Sequence, residues 1–486
     1  MPGLILFLKK NLSNEEEIIR RIKEKKLFIT KDAIDELLFF YHNYSQIEKN
    51  LDLIFSLIDQ TQGLVTKDAI KKICEKVISK YYVSEDKQVT KSASRKINLE
   101  NIDATTGYLG FLHDRFEKMK KVIERVNSVR ANLESSMVDK VLDKSNVRIT
   151  GLLTNKREGK FESFILEFQD NYSNFIVIVP GKNRRLVEIT ENLEIGDVVI
   201  IEGELVKKKD GSYYIKANHF YETDLEWNRN KRNGNGYIVF ISDIRMGNEK
   251  FSEESFLNFI DFLNGKIPEY EEISKNIRAL IITGDLVEGI DLNLLNSTNN
   301  NSDIKFQYEN LANLLTKINK NITIYVLPGE RDAQLPLIPF LGFDRELVDP
   351  LLKLENIRIV DDPSFLKIEN LNILATHGFY FENLYRNLLI KYDKKDALVK
   401  AIFKVIKKRE LIPNLNIKGL LPIGFDPFII EEPIDVFACG HYNITIHNYY
   451  KNCFVLSNSN WIKIHEESCS VYIINASNFD FKRLIF

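Results

Sequence analysis

The chain has 486 residues, too many for one ordinary core and enough for two to four domains of about 100–200 residues each. With 44% apolar and 28% charged residues, its composition excludes fibrous and wholly disordered classes. The near balance of 67 basic against 69 acidic residues excludes a protein that coats nucleic acid through a general basic field, leaving room only for a local basic stripe.

Cys74, Cys439, Cys453 and Cys469 are scattered and form no C-x-x-C pair, so neither a disulfide framework nor a zinc knuckle is indicated and a reducing interior fits best. The opening MPGLILFLKK carries a five-residue apolar run, too short for a signal-peptide core. No segment approaches the ~20 apolar residues of a membrane helix. These features predict a cytoplasmic protein with no membrane contact.

The pattern along the chain predicts a multidomain α+β fold. From Asn14 to Ser79 apolar residues recur at helical spacing, as in Leu37, Leu38, Tyr41 and then Leu53, Ile54, Leu57, Ile58. Thr30 and Thr66 stand where N-caps belong, so residues 1–80 read as a helical module. Tyr81 to Glu100 is polar, mixed in charge and aperiodic, the signature of a flexible linker, assigned to 81–104. A connecting helix is expected within 105–144, running from Tyr108 to Ser136 with Leu112, Phe116, Met119 and Val122 on one face.

Residues 145–226 change character. Three strand-like runs (VRITGLLT, FESFILEF, NFIVIV) precede the helical RRLVEITENL, and DVVIIEGELV and SYYIKANHF follow as a hairpin closed at Asp210-Gly211. Three strands, a helix and a hairpin is the order of a five-stranded OB barrel, with a generic small β domain as the competing reading. The Asn/Gly/Arg stretch Asn228 to Gly236 is punctuation. From 237 to 486 apolar strands alternate with helical stretches, which predicts a layered α/β domain carrying its functional groups at strand ends.

Five blocks carry the chemistry: YIVFISDIRMG, ALIITGDLVEG, IYVLPGERDA, NILATHGFY and VFACGHYNI. The first four are apolar runs that break into Asp, Gly or His, placing Asp243, Asp285, Glu330 and His377 at loop tips on one sheet edge; the fifth adds His441. Carboxylates and imidazoles converging from separate strands are what a divalent metal needs. A lone Gly-Asp or Gly-His is common in loops; their order and shared strand-end position give the set its specificity.

At these blocks the chain resembles the calcineurin-like metallophosphoesterases, whose motifs read D-x-H, G-D, G-N-H-[DE], H and G-H-x-H. It is most similar to their branch among the small subunits of archaeal DNA polymerase D, through the barrel-like segment and stretches such as GFDPFIIEEPIDVFACGH and FVLSNSNW. The resemblance implies two metals about 3.5–4 Å apart that clamp a phosphodiester and activate water. One would use the positions of Asp243, Arg245, Asp285 and Asn443. Arginine cannot ligate a metal and repels one, so that position is expected to be empty. The other would use Asp285, Glu330, His377 and His441, which retain oxygen and nitrogen donors for a single Zn²⁺, Mn²⁺ or Fe²⁺. Its alternative is a relic in which Arg245 or Arg331 pairs with Asp243, Asp285 or Glu330. Arg331 also replaces the family histidine beside the phosphate, and an arginine cannot serve as a general acid near neutral pH.

Three functions follow. The first is an accessory, scaffolding subunit whose resemblance implies the large catalytic subunit of DNA polymerase D as partner, DNA contacted mainly within that complex, and the sliding clamp as a further candidate. The second is a 3′-5′ exonuclease that uses the one remaining metal site, with arginines supplying charge. The third is a single-strand DNA-binding barrel using Phe164, Phe168, Tyr172 and Phe175 with Lys156, Arg157 and Lys160. Bland readings cover the rest. His42, His113, His219 and His465 are surface or packing residues, His447 lies on the next strand, and Phe454 and Trp461 are core. The runs RRIKEKK and KKRE are solvated helix faces.

Overall fold

The computed structural model describes residues 104–226, 234–289, 304–334, 337–413, 419–421 and 423–486, with short pieces between 18 and 91. It divides into two units, Met1–Asp86 and Lys87–Phe486. In the first, the described pieces bury Ile18, Ile22, Ala33, Leu37, Ile58, Val65 and Ile70. The carbonyl of Thr30 accepts the Ala33 and Ile34 N–H groups, and that of Thr66 accepts the Ile70 N–H, so both threonines head helical turns. Tyr41, His42, Leu53, Ile54, Leu57, Cys74 and the basic run at 20–26, apart from Ile22, lie outside the described residues.

The second unit begins inside the segment expected to be linker. Strand β1 (Val89–Lys91) pairs antiparallel with a strand at Ser364–Ile368. Three residues on a sheet edge gain ladder hydrogen bonds from their neighbour, which no apolar period announces. Helix α1 (Ala104–Asn127) follows and stops nine residues before Ser136, because Ser128 turns left-handed at φ 53° and ends the ladder. Phe116, Met119 and Val122 are buried as expected, and Phe116 and Met119 pack on Val198, Ile200 and Ile429.

Strands β2 (Asn146–Glu158), β3 (Phe164–Gln169), β4 (Asn174–Val179), β5 (Val198–Lys207) and β6 (Tyr213–Tyr221) close a barrel in the order β2-β3-β4-β6-β5, with helix α2 (Arg184–Asn192) between β4 and β5. Alternating residues fill it, among them Phe164, Phe168 and Phe175, leaving only Tyr172 of the four candidate stacking aromatics exposed. Lys156 points its ammonium at the carbonyls of Thr190, Glu191 and Leu193 at the end of α2, and Arg157 pairs with Glu167. The residues read as a base-stacking platform are thus largely core and helix-capping groups.

The remaining chain forms two six-stranded sheets stacked face to face. The first is built from β7 (Tyr237–Ile241), β8 (Ile277–Thr283), β9 (Thr323–Leu327), β10 (Ile357–Ile359), β16 (Ser470–Asn475) and β17 (Phe481–Ile485). Its order is β10-β9-β8-β7-β16-β17. The second joins β1 to β11 (Ser364–Ile368), β12 (Leu371–Ala375), β13 (Val436–Cys439), β14 (Ile446–Tyr450) and β15 (Cys453–Ser457). Its order is β1-β11-β12-β13-β15-β14. The strands that bear the site are β7, β8 and β9 in the first sheet and β12 and β13 in the second.

Their side chains divide by parity. Ile238, Phe240, Ile281 and Tyr325 meet Ile373, Ala375, Val436 and Ala438 between the sheets. Val239, Ile241, Leu280 and Ile324 face helices α3 (Glu253–Leu263) and α4 (Ile304–Leu315). Leu374, Phe437 and Val455 pack near Tyr385 of α5 (Glu382–Leu388) and Ala401 and Ile402 of α6 (Lys394–Lys408). The result is a helix–sheet–sheet–helix stack whose strands are buried on both faces, hence their unbroken apolar runs. The expected single sheet edge is therefore two facing edges; β/α alternation does not reveal which sheet a strand joins. Among the described residues no helix is long and apolar enough to cross a membrane.

The run KKRE departs from its expected role as a solvated face. Lys407 is exposed, but Arg409 and Glu410 are buried and Lys408 is largely covered. Lys408 pairs with Glu194 and Asp197 of the barrel, and Arg409 spans to Glu226 and the carbonyls of Asp224, Ile430 and Glu432. Arg115 of α1 lies between Glu410 at 2.6 Å and Asp426 at 2.9 Å, all three buried. Burial pushes the Glu410 carboxyl up to about 8 even though Arg115 opposes the shift. Removing that arginine leaves two buried carboxylates without their cation. Arg115→Ala should cost about 3–5 kcal/mol in chemical denaturation, whereas Lys395→Ala, which breaks a solvent-facing pair with Glu467, should stay within about 0.5 kcal/mol. Equal effects would sink the assignment of this buried junction as a principal tie between α1 and the stack.

Candidate metal centre

Each candidate residue stands two to four positions beyond its strand, where the chain turns out of the sheet. Asp243, Arg245, Asp285, His441 and Asn443 all hold left-handed backbone, at φ 51°, 56°, 50°, 68° and 54°. Non-glycine residues rarely adopt this conformation, and its clustering at loop tips is the strain that functional sites store. Two glycines let the loops meet. A Cβ on Gly284 would come within 2.5 Å of His377 Nδ1, and one on Gly329 within 2.3 Å of Asp285 Oδ1.

The four residues of the expected surviving site converge. His377 Nε2 lies 2.5 Å from Glu330 Oε2 and 3.6 Å from Asp285 Oδ1, and His441 Nδ1 lies 2.9 Å from Glu330 Oε1. Glu330, His377 and His441 form one candidate ligand trio, and Asp243, Asp285 and His377 a second, each with its ligand atoms within 4.8 Å of one another. The carbonyl of Thr283, 2.8 Å from His377 Nδ1, can only accept, so Nδ1 carries a proton and Nε2 is presented to the carboxylates. Despite their short separations, Glu330 Oε2, His377 Nε2 and His441 Nδ1 are buried without an aligned hydrogen-bond partner. Three orphaned donor atoms aimed at one another suit a shared cation.

Without a metal, protons must balance this charge. Burial pushes the Asp285 carboxyl well above the usual range; the charge of His377 resists this, while Glu330 and Asp243 reinforce it. Burial also works against charge on the imidazoles, but Glu330 and Asp285 raise His377 well above its ordinary value, and Glu330 and Glu382 push His441 up to about 9. Burial would raise Glu330 too, yet the two histidines hold it below the ordinary carboxylate range. A bound divalent ion would replace those protons as the source of positive charge.

The other expected position is built differently. Arg245 turns into a two-pronged contact with Glu288, Nε to Oε2 at 2.7 Å and Nη2 to Oε1 at 2.5 Å. Asn248 also donates to Glu288, as does Arg331 through Nη1 at 3.2 Å. Arg331 additionally reaches Asp285, with its backbone N–H 3.1 Å from Oδ1 and its Nε 3.4 Å from Oδ2. Asn443 Oδ1 accepts from Asn460, and Asp243 Oδ2 accepts from Ser242 Oγ and the His441 N–H. The Arg331–Asp285 pair matches the ion pair expected of a relic, while Arg245 chooses Glu288, which no metal motif names. Two arginines among metal-site residues require a nearby counter-carboxylate, and that was the available signal. A cavity of about 340 Å³ exposes Arg245, Arg331, Asp243, Asp285, Glu330 and His441 together, and also takes in Glu382 from α5, for which no motif spoke.

The histidines outside the blocks keep bland roles where described. His113 contacts Asn171, His219 packs on Tyr221, His447 lies on β14, and His465 is exposed. Phe454 and Trp461 are core.

Known proteins share this chain's sequence pattern. The family profile for the B subunits of DNA polymerases alpha and epsilon matches residues 238–444. A DNA polymerase II small subunit of Pyrococcus horikoshii is 30% identical over 370 residues, covering 73% of this chain and 57% of the relative. The chain thus spans little more than half the length of that protein. One of the same name from Archaeoglobus fulgidus is 26% identical over 471 residues, covering 94% of this chain and 87% of the relative. A solved archaeal phosphodiesterase overlaps 51% of this chain and 99% of its own at 13% identity and a TM-score of 0.28, too weak an overlap to bear on the fold.

The raised histidine gives a signed pH dependence. His441 titrates near 6.5 when unfolded and at about 9 in the fold. Its contribution is fully present below pH 6.5 and lost as pH rises through 9. In chelator the thermal midpoint should therefore fall by several degrees between pH 7 and 9.5, and more than in His441→Gln. A parallel fall in both proteins would refute the assignment.

Proposed function

We propose that this chain, a relative of the archaeal DNA polymerase II small subunits, is the accessory and scaffolding subunit of a replicative family D DNA polymerase, and that its phosphoesterase-like domain binds without cleaving. The observation that carries this reading is the Arg245–Glu288–Arg331 arrangement. Where a two-metal enzyme needs a ligand and a histidine beside the phosphate, the chain supplies guanidinium groups already committed to a carboxylate. Loss of one metal from a two-metal clamp removes several kcal/mol of transition-state stabilisation.

The remaining donors suit one divalent ion, Zn²⁺, Mn²⁺ or Fe²⁺, held by Glu330, His377 and His441 with Asp285 beside them. Such an ion would supply Lewis acidity and a positive charge. The chain's own residues orient the His377 ring through Thr283 and hold Glu330 between two imidazoles. No general acid stands at position 331, where the side chain is a guanidinium.

In this reading the barrel is an OB fold, supported by its strand order and by the helix before its last two strands. Its ionic junction with the α/β stack favours a rigid platform for the large catalytic subunit, with DNA met mainly inside that complex. A clamp contact is compatible with the same platform.

Purified protein should contain about one equivalent of divalent metal, lost in His377→Ala and Glu330→Ala. With Mn²⁺ it should degrade single-stranded and mismatched primer ends no faster than Asp285→Ala. Robust cleavage abolished by Asp285→Ala and His377→Ala would instead establish the single-metal exonuclease. Two bound equivalents would remove the argument from Arg245.

A further inference from the structure

Helix α4 reaches the two loops that carry Asp285 and Glu330, through residues no motif contains. Tyr308 is fully buried. Its hydroxyl donates to Asp332 Oδ1 at 2.9 Å and accepts the Ala333 N–H at 3.0 Å. Asp332 in turn accepts the backbone N–H groups of Leu286, Val287 and Gly329, at 3.0, 3.3 and 2.8 Å. One carboxylate therefore ties the loop after β8 to the loop after β9. Gln307, one residue earlier on the same helix, clasps Gly289 from both sides, accepting its N–H at 3.1 Å and donating to its carbonyl at 3.2 Å.

The arrangement is more than packing. Asp332 is buried among site carboxylates, where an unsupported carboxylate would swing or protonate. The backbone N–H groups and the phenol hold it in one orientation, and that orientation sets the separation of Leu286 and Gly329, the immediate neighbours of Asp285 and Glu330. Tyr308 stands on α4, outside the metal-facing loops.

We infer that Tyr308 is a positioning residue for the metal centre: through Asp332 it fixes the two loops so that Asp285 and Glu330 meet His377 and His441. This rests on the single-metal reading above. Outer hydrogen-bond partners of metal ligands characteristically change affinity by about 10–100-fold when removed.

The test compares Tyr308→Phe with Leu311→Ala in the full chain. Leu311 is fully buried on the same helix and belongs to the apolar core beneath it. Zn²⁺ and Mn²⁺ affinities are measured by chelator competition, alongside thermal midpoints. Tyr308→Phe, which keeps the ring and loses only the hydroxyl, should weaken metal binding at least tenfold with a small fall in midpoint. Leu311→Ala should lower the midpoint more and leave affinity within twofold. If Tyr308→Phe binds metal like the wild type, or if affinity in both variants merely tracks stability, the positioning role is overturned and the single-metal reading stands. Wild-type protein that takes up neither ion overturns both.

Discussion

Buried negative charge at the meeting point of two sheets is the constraint on which this site depends. Asp243, Asp285 and Asp332 lie almost wholly inside, and Glu330 leans over them. Carboxylates so crowded cannot all ionise unless something positive is brought among them. The chain meets that demand in two ways within one cavity. At one position Arg245 and Arg331 supply fixed charge and are themselves anchored by Glu288. At the other, His377 and His441 supply charge that protons or a divalent ion can carry. Only the second allows exchange with solvent ions, because a guanidinium keeps its proton throughout the accessible pH range.

The backbone explains how this charge is held together. Arg245 and Asn443 keep the left-handed conformation that Asp243, Asp285 and His441 share, although an arginine cannot ligate a metal. These five loop positions hold that conformation whatever the side chain, whereas Glu330 and His377 leave their strands without it. Strain of this kind persists when the surrounding structure over-determines it. Here the loops are over-determined by Asp332 and by the close approach of Gly329 to Asp285. Side-chain chemistry can thus be replaced at single positions without dismantling the frame.

Much of this was legible in the sequence. Apolar runs ending in Asp, Glu or His announced the strand-end residues, and the Asp210-Gly211 turn with a helix before it announced the five-stranded barrel. What the sequence withheld has a physical cause in each case. Parity along β7, β8 and β12 shows both faces buried and so cannot say that β12 and β13 belong to a second sheet. Val89–Lys91 is too short to show a period. KKRE looks amphipathic whether its charges meet water or the barrel's Glu194 and Asp197, since the partner lies about two hundred residues away in sequence. Glu288 sits inside a quoted motif but becomes conspicuous only once Arg245 and Arg331 are known to need it.

Glu288 decides how the arginines are accommodated. Arginine at position 245 feels the negative charge of Asp285 and Asp243, but burial works against its own charge. Glu288 offsets that cost by binding both guanidinium groups, and Asn248 completes its hydrogen bonds. The three residues therefore act as a unit: Arg245 is held because Glu288 is present, and Glu288 is satisfied because Arg331 shares it. A unit of this kind is a finished electrostatic arrangement, in which two guanidinium groups share one carboxylate beside the cavity, and changing one member alone would leave the others unbalanced.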